Sequence, residues 1–151
     1  MRIAVSACLL GEACRYDGRS KPCARVQELA ADGHELVPVC PEVAGGLPTP
    51  RTPCEIVGDR VLSKDGADRT DAYRRGASEV LRLAGALGCR AALLKARSPA
   101  CGSGEVYDGS FSGTLTAGDG VAAAALSAAG IAVFGEDRLP DLENWLKTVE
   151  K

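Results

Sequence analysis

The sequence predicts an α/β fold in a single domain, with about four mainly parallel strands, helices on both faces of the sheet and a small β-hairpin. Three observations carry that expectation. Short apolar runs alternate with segments of helical periodicity, the pattern of crossover helices between parallel strands. The chain has 151 residues, and one domain spanning 1–151 can bury roughly 70% of its unfolded surface without disulfide staples. Its 46% apolar and 25% charged residues are those of a globular protein, not of a disordered or collagen-like chain.

Arg2 to Ala7 reads as a buried strand, followed by a polar, glycine-bearing loop through Pro22. A short helix fits Ala24 to Ala31, with Val26, Leu29 and Ala30 at helical spacing and Asp32-Gly33 ending it. Glu35 to Val39 is the second strand. Pro41 to Pro53 is rich in proline and holds two glycines, so it is expected to be a shaped loop without regular structure. Cys54 to Leu62, centred on Gly58-Asp59, forms the hairpin. Thr70 caps a long helix whose apolar positions Tyr73, Ala77, Val80, Leu81, Ala84 and Leu87 follow the three-and-four rhythm, and Gly88 closes it. Ala91 to Lys95 is the third strand, and glycine-rich Ser98 to Gly120 is loop or hairpin. Asp119 caps the helix Val121 to Ala129, Gly130 ends it, and Ile131 to Phe134 is the fourth strand. A last helix starts near Pro140 and presents Leu142, Trp145, Leu146 and Val149 as one stripe.

Composition narrows the function classes. The net charge is -2, which offers no basic face to a nucleic acid polymer, and no apolar run approaches the roughly 18 residues of a membrane span. Seven cysteines are an odd number for a disulfide framework, and the residues before Cys8 are too few for the apolar core of a signal peptide. Val5-Ser6-Ala7-Cys8 resembles a lipoprotein cleavage box, yet the hydrophobic segment that should precede it is missing. The expected compartment is therefore the reducing cytoplasm. No C-x-x-C pair is present, so any metal site must be assembled by the fold. With His34 the sole histidine, a catalytic Cys-His dyad or a multi-histidine metal centre is excluded as a working reading.

In parallel sheets, ligands sit beyond the carboxyl ends of the strands. Cys8, Cys40 and Cys101 follow three such ends, whereas Cys14, Cys23, Cys54 and Cys89 fall outside that zone. Three thiolates are soft ligands for zinc, copper(I) or an iron-sulfur cluster, and three protein ligands leave one coordination position open. Glu42 projects beside Cys40 and is the candidate proton carrier; an ion pair with Arg51 or Arg97 is its plainer role. Ser6 stands beside Cys8, and a turn brings the Ser98 hydroxyl to Cys101. Gly45, Gly46 and Gly102 let backbone approach a bound ligand, and Arg15, Lys95 or Arg97 would favour an anionic cluster. A zinc or sulfide carrier without catalytic activity and a persulfide sulfurtransferase are the alternative functions.

Four stretches, VSACLLGEACRYDG (5–18), PVCPEVAGGLPTPR (38–51), LLKARSPACGSG (93–104) and YDGSFSGTLTAGDGV (107–121), resemble in order those of the thiouracil desulfidase family, bacterial proteins formerly described as a domain of unknown function. The resemblance implies a 4Fe-4S cluster held by Cys8, Cys40 and Cys101 with one open iron. It also implies that Glu42 and Ser98 match the family's catalytic carboxylate and serine. The implied reaction is non-redox: a thiolated pyrimidine or similar thioamide gives its sulfur to the open iron, water adds to the carbon, and the oxo base leaves. Ala100 stands where the familiar motif reads Ser-Pro-Ser-Cys, and Ala122 where threonine is common.

Overall fold

Strand β1 (Arg2–Ser6) lies inside a sheet of four strands, because Ile3, Ala4 and Val5 are all 0% exposed and need cover on both faces. The computed structural model describes residues 1–149. A 3-10 turn at Ala7–Leu10 leads through a long loop to α1 (Ala24–Ala31) and β2 (Glu35–Val39). Then come a one-turn helix α2 (Pro41–Ala44), the hairpin β3 (Cys54–Val57) and β4 (Arg60–Ser63), and the long helix α3 (Thr70–Ala86). The remainder is β5 (Ala91–Leu94), the hairpin β6 (Glu105–Tyr107) and β7 (Leu115–Ala117), α4 (Val121–Ala128), β8 (Ala132–Gly135), a 3-10 turn Glu136–Arg138 and α5 (Leu139–Val149).

The main sheet has the order β2-β1-β5-β8, and every pair in it is parallel. The expected four-stranded parallel sheet is therefore present, with the expected hairpin β3-β4 and a second two-stranded sheet, β6-β7. Alternation along the strands divides the core in two. Ile3, Val5, Ala91 and Leu93 pack against Val26 and Leu29 of α1 and Leu139, Leu142 and Leu146 of α5. Ala4, Val37, Ala92 and Leu94 pack against Tyr73, Val80 and Ala84 of α3 and Ala123 and Leu126 of α4. Both faces thus carry helices. Chain connections leave β1 to one side toward β2 and return on its other side to β5, so they diverge at the carboxyl ends of these strands.

The boundaries differ from the sequence reading in ways with local causes. Pro41 to Pro53 is not wholly irregular: Pro41 occupies the first turn of α2, where its missing N–H is no loss. Thr70 is the first residue of α3 rather than its cap. Asp68 Oδ1 accepts from the Thr70 amide at 2.9 Å, and the Thr70 hydroxyl accepts from the Val61 amide at 2.9 Å, locking α3 to β4. Asp119 does not cap α4 either; its Oδ1 accepts from the Gly104 amide at 2.7 Å, clasping the open end of the β6-β7 hairpin instead. Ala7 and Lys95 lie just past the ends of β1 and β5, and β8 is shifted one residue later than expected.

Candidate functional site

A cavity of about 460 Å³ opens where β1, β2 and β5 end, and Cys8, Cys40 and Cys101 all line it. Each arrives from a different element. Cys8 sits in the 3-10 turn after β1, Cys40 is the residue preceding α2, and Cys101 lies in the turn after β5. Ser98 builds that last turn: its Oγ accepts from the Ala100 and Cys101 amides, each at 3.0 Å. With both acceptor positions used, the hydroxyl hydrogen is the group Ser98 has left to offer.

Ser6, only 2% exposed, accepts from the Lys95 amide at 2.8 Å and donates to Cys101 Sγ at 3.5 Å. It lines the cavity and turns its hydroxyl hydrogen to the Cys101 sulfur. Burial pushes the Cys101 thiol far above its usual range, opposed by the Ser6 hydrogen bond and reinforced by Glu42, Cys40 and Cys8. Burial likewise raises Cys8, with Cys40 adding to it and Lys95 and Arg15 opposing. Such thiols are poor free nucleophiles, and sulfur of this kind is a soft donor once a metal displaces its proton.

Glu42 lines the cavity from α2, as expected, but it also forms the ion pair that was its plainer role. Arg51 grips Glu42 Oε2, and the Tyr73 hydroxyl donates to Oε1 at 2.9 Å. Their side chains are 7% and 12% exposed for Arg51 and Glu42. Burial, followed by Glu42, raises the Tyr73 phenol far above its usual range, so it remains a fixed donor to the carboxylate. Arg51 also donates to the Cys14 carbonyl at 2.9 Å and the Pro48 carbonyl at 3.2 Å, tying the first loop to the proline-rich one.

Gly45, Gly46 and Gly102, expected to let backbone approach a bound ligand, are not among the residues that line this cavity. A Cβ on Gly45 would run into the Ala72 carbonyl, and one on Gly76 into the Pro41 carbonyl, so this pair lets α2 lie against α3. Gly46 turns the chain at φ 92°. A Cβ on Gly102 would lie 2.7 Å from the Ser98 carbonyl oxygen and 2.8 Å from Val106, so the close approach there is protein to protein.

Two cysteines placed outside the zone by the sequence reading belong to the cavity wall, Cys14 and Cys54. The Cys14 thiol, pushed up to about 12 by burial and then by Cys40, lies within the reach of Cys40. Cys54 enters the hairpin as expected and meets the Tyr73 hydroxyl. Tyr73 looked like one more apolar position of a helical stripe; its hydroxyl was the only signal that it could reach a polar site. Cys89 lies before β5, away from the cavity.

The wall is electropositive. Arg15, Lys21, Arg51, Lys64, Lys95 and Arg97 line it with Glu42 and Glu55, and Lys95 is itself paired with Glu136 at 2.9 Å. Among the described residues no three His, Cys, Asp or Glu side chains stand close enough to grip a single metal ion. A cubane cluster offers separate iron corners to its thiolates and takes them from a wider circle than one ion. Three soft donors, Cys8, Cys40 and Cys101, on the wall of an open cavity rich in basic residues fit the chemistry of an anionic group of that kind.

Residues 3–138 match the family model described as 2-thiouracil desulfurase. The chain belongs to that family. A solved structure described as the 4Fe-4S-dependent thiouracil desulfidase TudS is similar to this desulfurase-family chain with a TM-score of 0.91 and 49% identity, covering 97% of this chain and 98% of that one. The uncharacterized protein YbbK of Bacillus subtilis strain 168 is 39% identical over 150 residues, covering 93% of this family member and 99% of YbbK. No helix among the described residues is long and apolar enough to cross a membrane.

Proposed function

We propose that this protein is a hydrolytic thiouracil desulfidase: one water enters, the thiolated pyrimidine leaves as its oxo counterpart, and hydrogen sulfide is released with no net electron transfer. The observation that carries the reading is the meeting of Cys8, Cys40 and Cys101 on one electropositive cavity beside Glu42 and Ser98, in a chain of the 2-thiouracil desulfurase family. When bound by the three thiolates, a 4Fe-4S cluster with one open iron supplies a Lewis acid for the thiocarbonyl sulfur.

The protein's own groups do the rest. Glu42 takes a proton from the water that adds to the C=S carbon and returns it as the C–S bond breaks. Tyr73 and Arg51 hold the carboxylate in one orientation, which limits the loss of freedom at the moment of reaction. Ser98 offers its hydroxyl hydrogen to an electronegative atom of the base or the water. Ser6 fixes the Cys101 sulfur. Arg15 and Lys95, which both lower the cost of a thiolate at Cys8, offset the negative charge of the ligand set.

Anaerobically reconstituted protein is expected to bind iron and to convert 2-thiouracil to uracil with one sulfide per uracil. Cys8→Ser, Cys40→Ser and Cys101→Ser should each lose iron and activity, while Glu42→Gln keeps the iron-thiolate absorbance and loses sulfide release. Full activity in any of the three serine variants, or normal turnover by Glu42→Gln, overturns the assignment. Colourless protein holding one zinc and releasing no sulfide would replace it with a metal-carrier reading.

A further inference from the structure

Two non-glycine residues among those described have a positive φ, Arg97 at 70° and Phe111 at 56°, and both line the cavity. A bulky side chain in left-handed backbone is uncommon, and it persists where the surroundings over-determine it. Around Phe111 those determinants are visible. The loop between β6 and β7 is drawn onto β3 by one carboxylate oxygen: Glu55 Oε1 accepts from the Gly109 amide at 2.9 Å and from the Phe111 amide at 3.2 Å. Gly109, at φ 92°, passes so close to β3 that an added Cβ would lie 2.7 Å from the Ile56 carbonyl oxygen. Within the loop, Asp108 accepts from the Ser110 amide at 2.9 Å, and the Ser112 and Thr114 hydroxyls lie 2.8 Å apart.

A loop tied in this way fixes Phe111 on the cavity wall, and its ring has no polar handle. The wall holds three other aromatic residues, Tyr16, Tyr73 and Tyr107, each with a hydroxyl that Phe111 lacks. Tyr73 serves Glu42, and Tyr16, 43% exposed, has Arg15 5.9 Å from its ring centre. A thiopyrimidine is a flat ring whose sulfur, N–H and carbonyl groups all lie on its edge. Once that edge is turned to the thiolates, Glu42 and Ser98, its faces need apolar cover.

We infer that Phe111 is the stacking face for the heterocyclic ring of the substrate and that Glu55 is a positioning residue acting through it. The inference rests on the proposed reaction with a thiopyrimidine. Stacking of a base on an aromatic side chain corresponds to roughly five- to hundredfold in affinity.

The test measures sulfide release by cluster-loaded enzyme and, separately, equilibrium dialysis of 2-thiouracil, for Phe111→Ala, Phe111→Leu, Phe111→Tyr and Glu55→Ala, with thermal melts to confirm folding. Phe111→Ala and Phe111→Leu should raise KM and the dissociation constant by roughly five- to hundredfold with kcat nearly unchanged, and Phe111→Tyr should restore both. Glu55→Ala should raise KM as well, and adding Phe111→Ala to it should do less than Phe111→Ala alone does. Wild-type affinity in Phe111→Leu overturns stacking, since leucine keeps apolar cover without a π face. Independent, additive effects of Glu55 and Phe111 overturn the positioning role. A wild-type protein that binds 2-thiouracil but releases no sulfide refutes the reaction alone and leaves stacking to be judged on the dissociation constants; one that neither binds nor turns over refutes both.

Discussion

Replacing Tyr73 with phenylalanine deletes one oxygen from a buried position and isolates how the Glu42 carboxylate is held. Tyr73 is 2% exposed, and its hydroxyl donates to Glu42 Oε1 at 2.9 Å. A hydrogen bond to a charged acceptor contributes about 1.5–3 kcal/mol. Water has little access to replace it, because the Glu42 side chain is 12% exposed. For a domain of this size each kcal/mol moves Tm by roughly 2–4 °C, so Tyr73→Phe should melt about 3–12 °C lower than wild type. Arg51 still grips the other carboxylate oxygen, so the chain should fold and retain its iron. The loosened carboxylate should lower kcat for sulfide release by roughly tenfold to hundredfold, with KM little changed. Thermal melts and steady-state sulfide assays on the same anaerobic preparation read both effects. A variant whose Tm lies within about 1 °C of wild type and whose kcat is unchanged would refute the claim that this hydroxyl holds Glu42.

Three further outcomes are expected. Gly76→Ala pushes α3 off α2 at the Pro41 carbonyl and should destabilise the fold by at least the roughly 1–3 kcal/mol of an overpacked core, whereas Gly85→Ala, with nothing within 4 Å of its added Cβ, should stabilise by about 0.5–1 kcal/mol; urea denaturation separates them. Asp68 is held at about 2, below its usual 3.8, by hydrogen bonds from Thr70 and then Arg60. Its folded value lies below its unfolded one, so its contribution is complete above about 4 and disappears as pH falls through about 2. Asp68→Asn should therefore be less stable than wild type at neutral pH and lose less stability between those values, as acid titrations of the denaturation midpoint will show. Ser6→Ala leaves the part-buried Lys95 amide without its acceptor, an expected loss of about 1 kcal/mol, and removes a hydrogen bond to Cys101 sulfur, which should make the reduction potential of a reconstituted cluster more negative; unchanged melting and an unchanged potential would dismiss that role.

Much of the scaffold was readable from local pattern. Periodicity located α1, α3 and α5, apolar runs located the strands of the main sheet, and their alternation implied parallel crossovers with helices on both faces. Strand ends in turn pointed to Cys8, Cys40 and Cys101 and to Glu42. Caps were misplaced where a side chain had a distant alternative: Thr70 reaches Val61 and Asp119 reaches Gly104. At Gly45 and Gly102 the missing side chain admits neighbouring backbone of the protein, a packing role that local sequence does not reveal.

Sequence alone determined which segments are strands and helices and which thiols follow strand ends, because burial and periodicity are properties of neighbours along the chain. Tertiary structure alone decided that Cys14, Cys54, Tyr73 and Phe111 share one wall with them, and that Ser6 turns its proton to Cys101 across 95 positions of sequence. Those placements depend on how long loops close and which polar groups they leave to be satisfied, and contacts between distant segments leave no period in the sequence to read.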